Sequence, residues 1–312
     1  MSDEIERAAI ALYDRFTHED NWVARSPGAG SDCRGQSDPA MDRRVFMARL
    51  TRLAGSAAAA GALLGGIAAR AEAAPIVPAD DARIRTQELV WEARPGRRYT
   101  GYNAAPARGA NLPVVLVIHE NRGLNEHIRD VARRLAVAGY SAVAPDFLSP
   151  AGGTPAGDED RARTMIGALD MAETVADGAA TIGWLASAEG GSRRVGTIGF
   201  CWGGAMVHRL AIAAGDALKA GVSFYGPAPA PAEAARVRAA MLIILAGRDE
   251  RVNATGRPWA AALRQAGKSV ELREFPDVDH AFHNDTSAAR YDRAAADAAW
   301  AAALTLFQRH LR

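Results

Sequence analysis

From residue 113 onward, short apolar runs alternate with helical patterns, and this alternation leaves few folds open to the chain. The first run, residues 113–119, is almost entirely apolar and rich in β-branched side chains. Such runs are typical of strands buried on both faces of a parallel sheet. The alternation predicts an α/β fold in which helices cover both faces of a mostly parallel central sheet. Further runs of the same kind lie at 140–145, 194–200, 221–225, 241–246 and 269–275.

Helical patterns fill the intervals between these runs, and two short strands precede them. The leading strands are predicted at 84–90 and 98–102, as an antiparallel pair. In a sheet of this kind, ligands bind at the carboxyl ends of the parallel strands. Residues that directly follow a buried strand are therefore the first candidates for a functional site. The helices are predicted at about 125–138, 158–188, 205–214, 255–266 and 287–310.

The N-terminal region has a different composition. Arg43 and Arg44 precede an Ala-, Gly- and Leu-rich run at 54–74, and this run ends in the small-residue sequence Ala-Glu-Ala. A basic stretch, an apolar run and a small-residue cleavage site form the plan of an export signal, and the paired arginines resemble the twin-arginine variety. Residues 41–73 are therefore predicted to be a twin-arginine signal segment that the twin-arginine export machinery recognises. The protein is then periplasmic or secreted; an uncleaved anchor and a cytoplasmic protein stay open as alternatives.

Residues 1–40 precede this segment and contain a helical pattern followed by a linker rich in Gly, Ser and Pro. Three interpretations of this segment stay open. The signal has a long leader, the true start is Met41, or residues 1–20 form a small helical appendage. Cleavage after Ala73 would leave residues 74–312 as one α/β domain. That domain would hold a single cysteine, Cys201, because Cys33 lies in the linker. An exported protein cannot use a lone thiol in an internal disulfide.

The charge balance excludes one class of partner. The chain has 37 Lys and Arg against 36 Asp and Glu, which gives a net charge of +1. A chain so close to neutrality has no broad basic field with which to hold nucleic acid or an anionic membrane. No nucleic-acid motif is visible either, so the sequence predicts a small-molecule substrate and no nucleic-acid partner.

The sequence Gly-Phe-Cys-Trp-Gly-Gly at 199–204 carries the strongest chemical signal. It has the form of a nucleophile elbow, G-x-S-x-G, with Cys201 in place of serine, and it lies between a predicted strand and a predicted helix. The nucleophile must project from a tight, strained turn in which flanking side chains would clash. The helix N-terminus that follows favours a thiolate. Cys201 is the predicted nucleophile, and a Gly-rich turn with an inert buried cysteine is the alternative.

The two partners of such a nucleophile follow it in the order acid, then base. Asp249 is the first acidic residue after the run at 241–246 and is preferred to its neighbour Glu250, although an aspartate that only caps a loop is the alternative. His280 follows the last strand and is preferred as the base to His283, which is placed on the surface or behind the site. Because no HExxH or CxxC pattern is present, a metal site around the two histidines is a weak alternative, and no metal or cofactor is predicted.

Acyl-transfer chemistry assigns a role to each group. Cys201 attacks a carbonyl as the thiolate, while His280 takes the thiol proton and later activates water. Asp249 fixes the tautomer of the imidazole and stabilises its cation. Two backbone N–H groups are predicted to form the oxyanion hole, those of Trp202 and Asn121.

Taken together, these motifs resemble the dienelactone hydrolases, or carboxymethylenebutenolidases, over residues 84–311. The resemblance rests on the elbow, on Arg248-Asp249 and on the Asp-His-Ala-Phe sequence at 279–282, with further support at 119–125 and 144–148. It implies the α/β-hydrolase fold and a metal-free, cofactor-free enzyme that cleaves a lactone or small ester, as a monomer or small homo-oligomer. A general acyl esterase or thioesterase, and a non-catalytic binding protein on the same fold, stay open.

The resemblance also implies a fourth catalytic residue, Glu120. In the family, a glutamate at the end of the third strand contacts the resting cysteine and takes part in forming its thiolate when substrate arrives; a solvated loop carboxylate is the alternative. The family also has an arginine shortly after the histidine, which helps to bind the substrate carboxylate. Here no arginine follows before Arg290, and Arg122 and Arg163 are the candidate cations.

Four aromatic residues are predicted to line the substrate pocket. Each of them could equally belong to the core, because pocket walls and cores are built from the same residue types. They are Trp202, Phe147, Tyr225 and Phe282.

Overall fold

The computed structural model describes residues 43–56, 58–61, 75–187 and 194–312, together with Ile5 and Ala9. The chain divides into two compact units, Met1–Ala73 with Thr286–Ala289, and Ala74–Asp285 with Arg290–Arg312. In the first unit, helix α1 spans Arg43–Ala54. The predicted helix and linker within 1–40, Cys33 and the predicted cleavage site lie outside the described residues, apart from Ile5 and Ala9. Within the described residues, no helix has the length and apolar character needed to cross a membrane.

The second unit is built on one sheet, which has eight strands in the described part of the chain. Their spatial order is β1-β2-β4-β3-β5-β6-β7-β8. The β1–β2 and β2–β4 pairs are antiparallel, and all other neighbours are parallel. The predicted mostly parallel sheet is therefore confirmed. The strands are β1 Ile84–Arg94, β2 Arg97–Pro106, β3 Val114–Ile118, β4 Ser141–Pro145, β5 Val195–Phe200, β6 Leu218–Phe224, β7 Ala240–Ala246 and β8 Val270–Phe275.

Helices cover both faces of this sheet. Helices α2 and α7 pack on one face, whereas α4, α5 and α6 pack on the other. The close fit of α7 depends on Gly196 in β5, because a Cβ there would lie 2.7 Å from a side-chain carbon of Leu311. The helices are α2 Glu126–Val137, α3 Glu159–Gly167, α4 Met171–Ser187, α5 Trp202–Ala213, α6 Glu250–Gln265 and α7 Arg293–Leu311.

Strands β3, β5 and β7 are buried along their whole lengths, and they coincide with three of the continuous apolar runs. Strands in the middle of a sheet covered on both faces have no solvent side, so alternation of polar and apolar residues disappears. Their carboxyl ends all point to the same edge of the sheet. The loops at that edge carry the predicted functional residues.

The predicted helix boundaries are wrong at several places, and capping side chains explain three of them. The helical region predicted at 158–188 is two helices, because the side chain of Asp170 accepts a hydrogen bond from Glu173 N–H at 3.0 Å and starts α4 afresh. Helix α6 starts at Glu250 rather than near 255, and α7 starts at Arg293 rather than near 287. Their caps are Asp249 and Asp292, whose side chains accept from the N–H groups of Val252 and Ala295. A short polar cap outweighs the apolar periodicity in setting where a helix begins.

Candidate active site

Cys201 lies at the tip of a strained turn between β5 and α5. Its backbone has φ 55° and ψ −114°, a region that costs a non-glycine residue about 1–3 kcal/mol. Its N–H donates to the carbonyl of Phe224 at 3.0 Å, which ties the turn to the end of β6. The residue is buried, with only 4% of its surface exposed. This is the geometry that the elbow motif predicts.

The glycines of the motif are required by the close approach of backbone atoms. A Cβ on Gly199 would lie 2.2 Å from the carbonyl oxygen of Gly203. A Cβ on Gly203 would lie 2.3 Å from the carbonyl oxygen of Ile118, at the end of β3. Backbone cannot yield at such distances, so the turn can be built only with glycine at both positions.

Asp249 and His280 come from different loops and form a close pair. His280 Nδ1 lies 2.5 Å from Asp249 Oδ2 and donates to it, since a carboxylate accepts. The other carboxylate oxygen, Oδ1, accepts from Val252 N–H at 3.2 Å and caps α6. Asp249 thus serves both as the partner of His280 and as a helix cap, which were alternative readings of the sequence. Burial acts to raise the pKa of Asp249, but the hydrogen bond from His280 and its charge together lower it below the ordinary value.

His280 also forms a hydrogen bond with Cys201. Because Nδ1 is engaged with Asp249, the nitrogen that faces the sulfur is Nε2. Burial acts to lower the pKa of His280, but the charge of Cys201 and the hydrogen bonds with Asp249 and Cys201 outweigh it and raise the pKa to about 10. The structure therefore brings the three predicted triad residues into one chain of contacts, and these contacts favour the imidazolium form of His280.

Glu120 follows β3 and lies in the same region of the structure. It is buried, and its Oε2 accepts a hydrogen bond from Asn284 Nδ2 at 2.8 Å. Within the described part of the chain, its Oε1 has no hydrogen-bond partner. The structure therefore shows Glu120 held by an amide rather than by the Cys201 thiol.

The loop that carries Glu120 is held by His119, which is fully buried. His119 Nε2 accepts from Phe147 N–H at 3.2 Å, so Nδ1 carries the proton and donates to the Glu120 carbonyl at 2.7 Å. The ring stacks on Trp202 with 5.3 Å between centroids. Burial lowers the pKa of His119, so the ring stays neutral. His119 begins the segment 119–125 that supports the family resemblance, but the sequence gave no sign of this role.

The two predicted oxyanion donors belong to neighbouring elements. Trp202 is the first residue of α5, where an N–H has no acceptor within its own helix. Asn121 is buried in the loop after β3, the strand that pairs with β5. Both positions therefore lie at the carboxyl edge of the sheet.

The four predicted pocket residues are all fully buried and form aromatic contacts around the site. The rings of Phe147 and Trp202 meet edge to face at 5.7 Å. The ring of Tyr225 lies 4.9 Å from that of His280 and 5.6 Å from that of Phe282. Burial, together with the charges of Glu120 and Cys201, raises the pKa of Tyr225 well above its ordinary value, so its hydroxyl stays protonated. These rings contact one another and His280, and they belong to the core.

Asn284 was missed by sequence reasoning. It is buried, and it donates to Glu120 across 164 positions of sequence. A buried amide leaves no periodic or charge pattern, and the only available signal was its place in the loop that carries His280. His283, by contrast, was predicted to lie on the surface or behind the site. It is buried against Phe200 with 5.0 Å between ring centroids, which excludes the surface position.

The candidate cations form ion pairs at the start of α3. Arg122 pairs with Glu159 at 3.0 Å, and Arg163 pairs with Asp160 at 3.1 Å. Among the described residues there is no cluster of three or more His, Cys, Asp or Glu side chains that could hold a metal ion.

Comparison with known proteins places the chain in a family. The model of the family described as "Dienelactone hydrolase family" matches residues 99–311. The chain belongs to the dienelactone hydrolase family. A "Putative carboxymethylenebutenolidase" of Methylorubrum extorquens is 33% identical over 59% of this chain and 68% of its own length. A protein of the same name from Synechocystis is 33% identical over 68% of this chain and 92% of its own length.

Solved structures agree with this assignment. A crystal structure of a "Putative Dienelactone Hydrolase" from Klebsiella pneumoniae superposes with a TM-score of 0.66 and 29% identity. The match covers 73% of this chain and 99% of that one. The chain therefore has the α/β-hydrolase fold and is a hydrolase that acts on ester bonds.

Proposed function

We propose that this protein is a cysteine-dependent hydrolase of a lactone or small carboxylic ester, with Cys201, His280 and Asp249 as its catalytic triad. One observation carries the proposal. The imidazole of His280 is hydrogen-bonded on one side to Asp249 and on the other to Cys201, which lies at the tip of a strained turn at the carboxyl edge of the sheet.

The reaction follows from the charges of these groups. The Cys201 thiolate attacks the carbonyl carbon, and the oxyanion that forms accepts from the N–H groups of Trp202 and Asn121. When the C–O bond breaks, the His280 imidazolium gives its proton to the leaving alkoxide, and a thioester remains on Cys201. His280, now neutral, takes a proton from water, and the resulting hydroxide cleaves the thioester to release the acid. The thiolate and imidazolium are then restored.

Glu120 contributes through its negative charge. A carboxylate near the sulfur disfavours the thiolate of the resting enzyme by like-charge repulsion, and when substrate arrives Glu120 takes part in forming the thiolate, as the family resemblance implies. We expect Glu120→Ala to lose activity less completely than Cys201→Ala or His280→Ala. A wild-type rate in Glu120→Ala would remove Glu120 from the mechanism.

The direct test is hydrolysis of a dienelactone by the purified full-length protein. Turnover should vanish in Cys201→Ala and persist in Cys33→Ala, the matched control that removes the only other cysteine. Turnover in Cys201→Ala at the wild-type rate would contradict the proposal. A panel of neutral esters and thioesters, run with the same variants, identifies the preferred acyl group.

The same proposal extends to location. Residues 41–73 act as a twin-arginine signal that exports the hydrolase, supported by Arg43, Arg44 and the apolar run that follows them. Cell fractionation is the test. The Arg43→Lys/Arg44→Lys variant should stay in the cytoplasm, and equal export of both proteins would contradict this part of the proposal.

A further inference from the structure

The loop between β8 and α7 carries two polar side chains that reach the site, His280 and Asn284. The backbone between them turns sharply, since Ala281 has φ 67° and its carbonyl accepts from Asn284 N–H at 2.9 Å. This turn brings the buried Asn284 amide to the carboxylate of Glu120, where Nδ2 donates to Oε2 at 2.8 Å. The same short segment thus sets the positions of the imidazole and of the glutamate.

The Glu120 carboxylate is only half satisfied. Within the described residues, its Oε1 is buried and has no hydrogen-bond partner. A buried carboxylate oxygen without a hydrogen-bond partner costs folding free energy. Such an oxygen therefore accepts a hydrogen bond from any donor within its reach. A Cβ on Gly203, two residues after Cys201, would lie 2.6 Å from the carbonyl oxygen of His119, so the elbow lies directly against the loop that carries Glu120. A Glu120 carboxylate that was free to rotate would accept a hydrogen bond from the neutral thiol in place of His280, and its charge would disfavour the thiolate.

We propose that Asn284 is a positioning residue that holds the Glu120 carboxylate away from the Cys201 sulfur, so that the sulfur pairs with His280 alone. The inference rests on the proposed function and deepens it. It explains why Cys201 contacts His280, whereas Glu120 contacts the amide of Asn284.

An amide suits this task because it donates a hydrogen bond without adding charge. A cation at 284 would neutralise Glu120, and an aspartate would have no proton to donate at neutral pH. The remaining ionisable or charged groups around Glu120, Cys201 and Tyr225 come from several elements and stay the same when only Asn284 changes. They are His119, Asp146, Asp249, His280, Asp285 and Arg290.

The test measures how fast the thiol reacts with iodoacetamide as a function of pH. A Cys33→Ala background of the full-length chain leaves Cys201 as the only thiol. In Asn284→Ala, Glu120 is released and disfavours the thiolate, so the profile should shift to higher pH and alkylation near pH 6.5 should slow by about tenfold. Asn284→Asp keeps the shape of the side chain but adds a second negative charge, and its profile should shift at least as far.

Rescue separates positioning from a merely structural role. In the Asn284→Ala/Glu120→Gln double variant the released group carries no charge, so the profile should return toward that of the parent. Asn103→Ala is the control, since it removes another buried asparagine, whose Nδ2 donates to the Ala142 carbonyl at 3.0 Å far along the chain from the site. It should leave the profile unchanged.

An unchanged profile in both Asn284 variants, with circular dichroism showing them folded, would overturn the inference. A shift that persists in the double variant would overturn it as well, because the effect would then not pass through the charge of Glu120. The alkylation profile is read without any substrate. Failure of the proposed function, seen as hydrolysis in Cys201→Ala, is therefore a separate result.

Discussion

His280 contacts the Asp249 carboxylate on one side and the Cys201 thiol on the other. Both contacts raise the pKa of its imidazole. Its raised pKa of about 10 means that the folded protein favours the imidazolium. A group whose pKa is higher when folded stabilises the fold most fully below its unfolded value of about 6.5. This contribution is then lost as the pH rises through about 10. His280 should therefore stay protonated beside the Asp249 carboxylate across neutral pH.

A comparison of two substitutions at Asp249 separates its two roles. Asp249→Asn keeps an oxygen that can cap α6 but removes the charge that holds the His280 imidazolium, so kcat/KM should fall by about 10²–10⁴-fold while the melting temperature changes little. Asp249→Ala should lose the same activity and also about 1 kcal/mol of stability, because the N–H of Val252 loses its acceptor. Equal melting temperatures for the two variants would contradict the capping role, and normal kinetics in Asp249→Asn would contradict the catalytic one.

Some residues of the site could be predicted from the sequence, and others could not. Cys201, Asp249 and His280 each follow a strand in a fixed order, so strand prediction alone placed them at one edge of the sheet. Asn284 could not be found in this way, because its role depends on the positive φ of Ala281 and on a contact between distant loops. Side-chain hydrogen bonds that cross the fold leave no periodic trace in the chain.

Among the elements, the elbow between β5 and α5 depends on very close backbone contacts. Its geometry follows from backbone contacts, so the motif could be read from glycine spacing alone. The start of α6 could not, because Asp249 was read mainly as a catalytic acid, and its capping bond lengthens the helix by a full turn at its N-terminus. Periodicity finds the middle of a helix, whereas single polar side chains set its ends.

Gly203→Ala tests the elbow directly. The new methyl group would lie 2.3 Å from the carbonyl oxygen of Ile118, so the variant should lose about 1–3 kcal/mol of stability in urea unfolding and most of its activity. Gly183→Ala in α4 is the matched control, because nothing lies within 4 Å of its added Cβ. That control should gain up to about 1 kcal/mol through helix propensity. Equal stability of the two variants would contradict the steric account of the motif.

In the second unit as a whole, the antiparallel β1–β2 pair extends the parallel sheet. A buried carboxylate of α4 holds this pair through hydrogen bonds from its side chains. Asp177 of α4 is fully buried, and it accepts from Arg94 Nε at 2.6 Å, Arg97 Nε at 2.8 Å and Tyr99 Oη at 2.8 Å. Burial acts to raise the pKa of Asp177, but the hydrogen bonds from Arg97, Arg94 and Tyr99 lower it overall. The sequence predicted the two strands, but it gave no sign of this attachment or of their full length.

We expect Asp177→Ala to lose at least about 2 kcal/mol of stability, because it leaves two arginines and a buried hydroxyl without their common acceptor. Since the pKa of Asp177 is lower when folded, its contribution is full above the unfolded value of about 3.9 and is lost as the pH falls through the folded value. The difference between wild type and Asp177→Ala should accordingly shrink in acid. Glu271→Ala removes an exposed pair with Arg273 and should cost less than about 1 kcal/mol. Urea unfolding at several pH values measures both variants. A stability difference between wild type and Asp177→Ala that stays constant down to strong acid would contradict the lowered pKa of Asp177.

The central claim is that Cys201 carries the acyl group during turnover. Mass spectrometry of the full-length protein, quenched in acid during reaction with 4-nitrophenyl acetate, tests it most directly. The account predicts an acetyl adduct on the peptide that contains Cys201, present in wild type and in Cys33→Ala and absent in Cys201→Ala. Turnover of the ester by Cys201→Ala, or an adduct on another residue that forms and decays at the turnover rate, would contradict it.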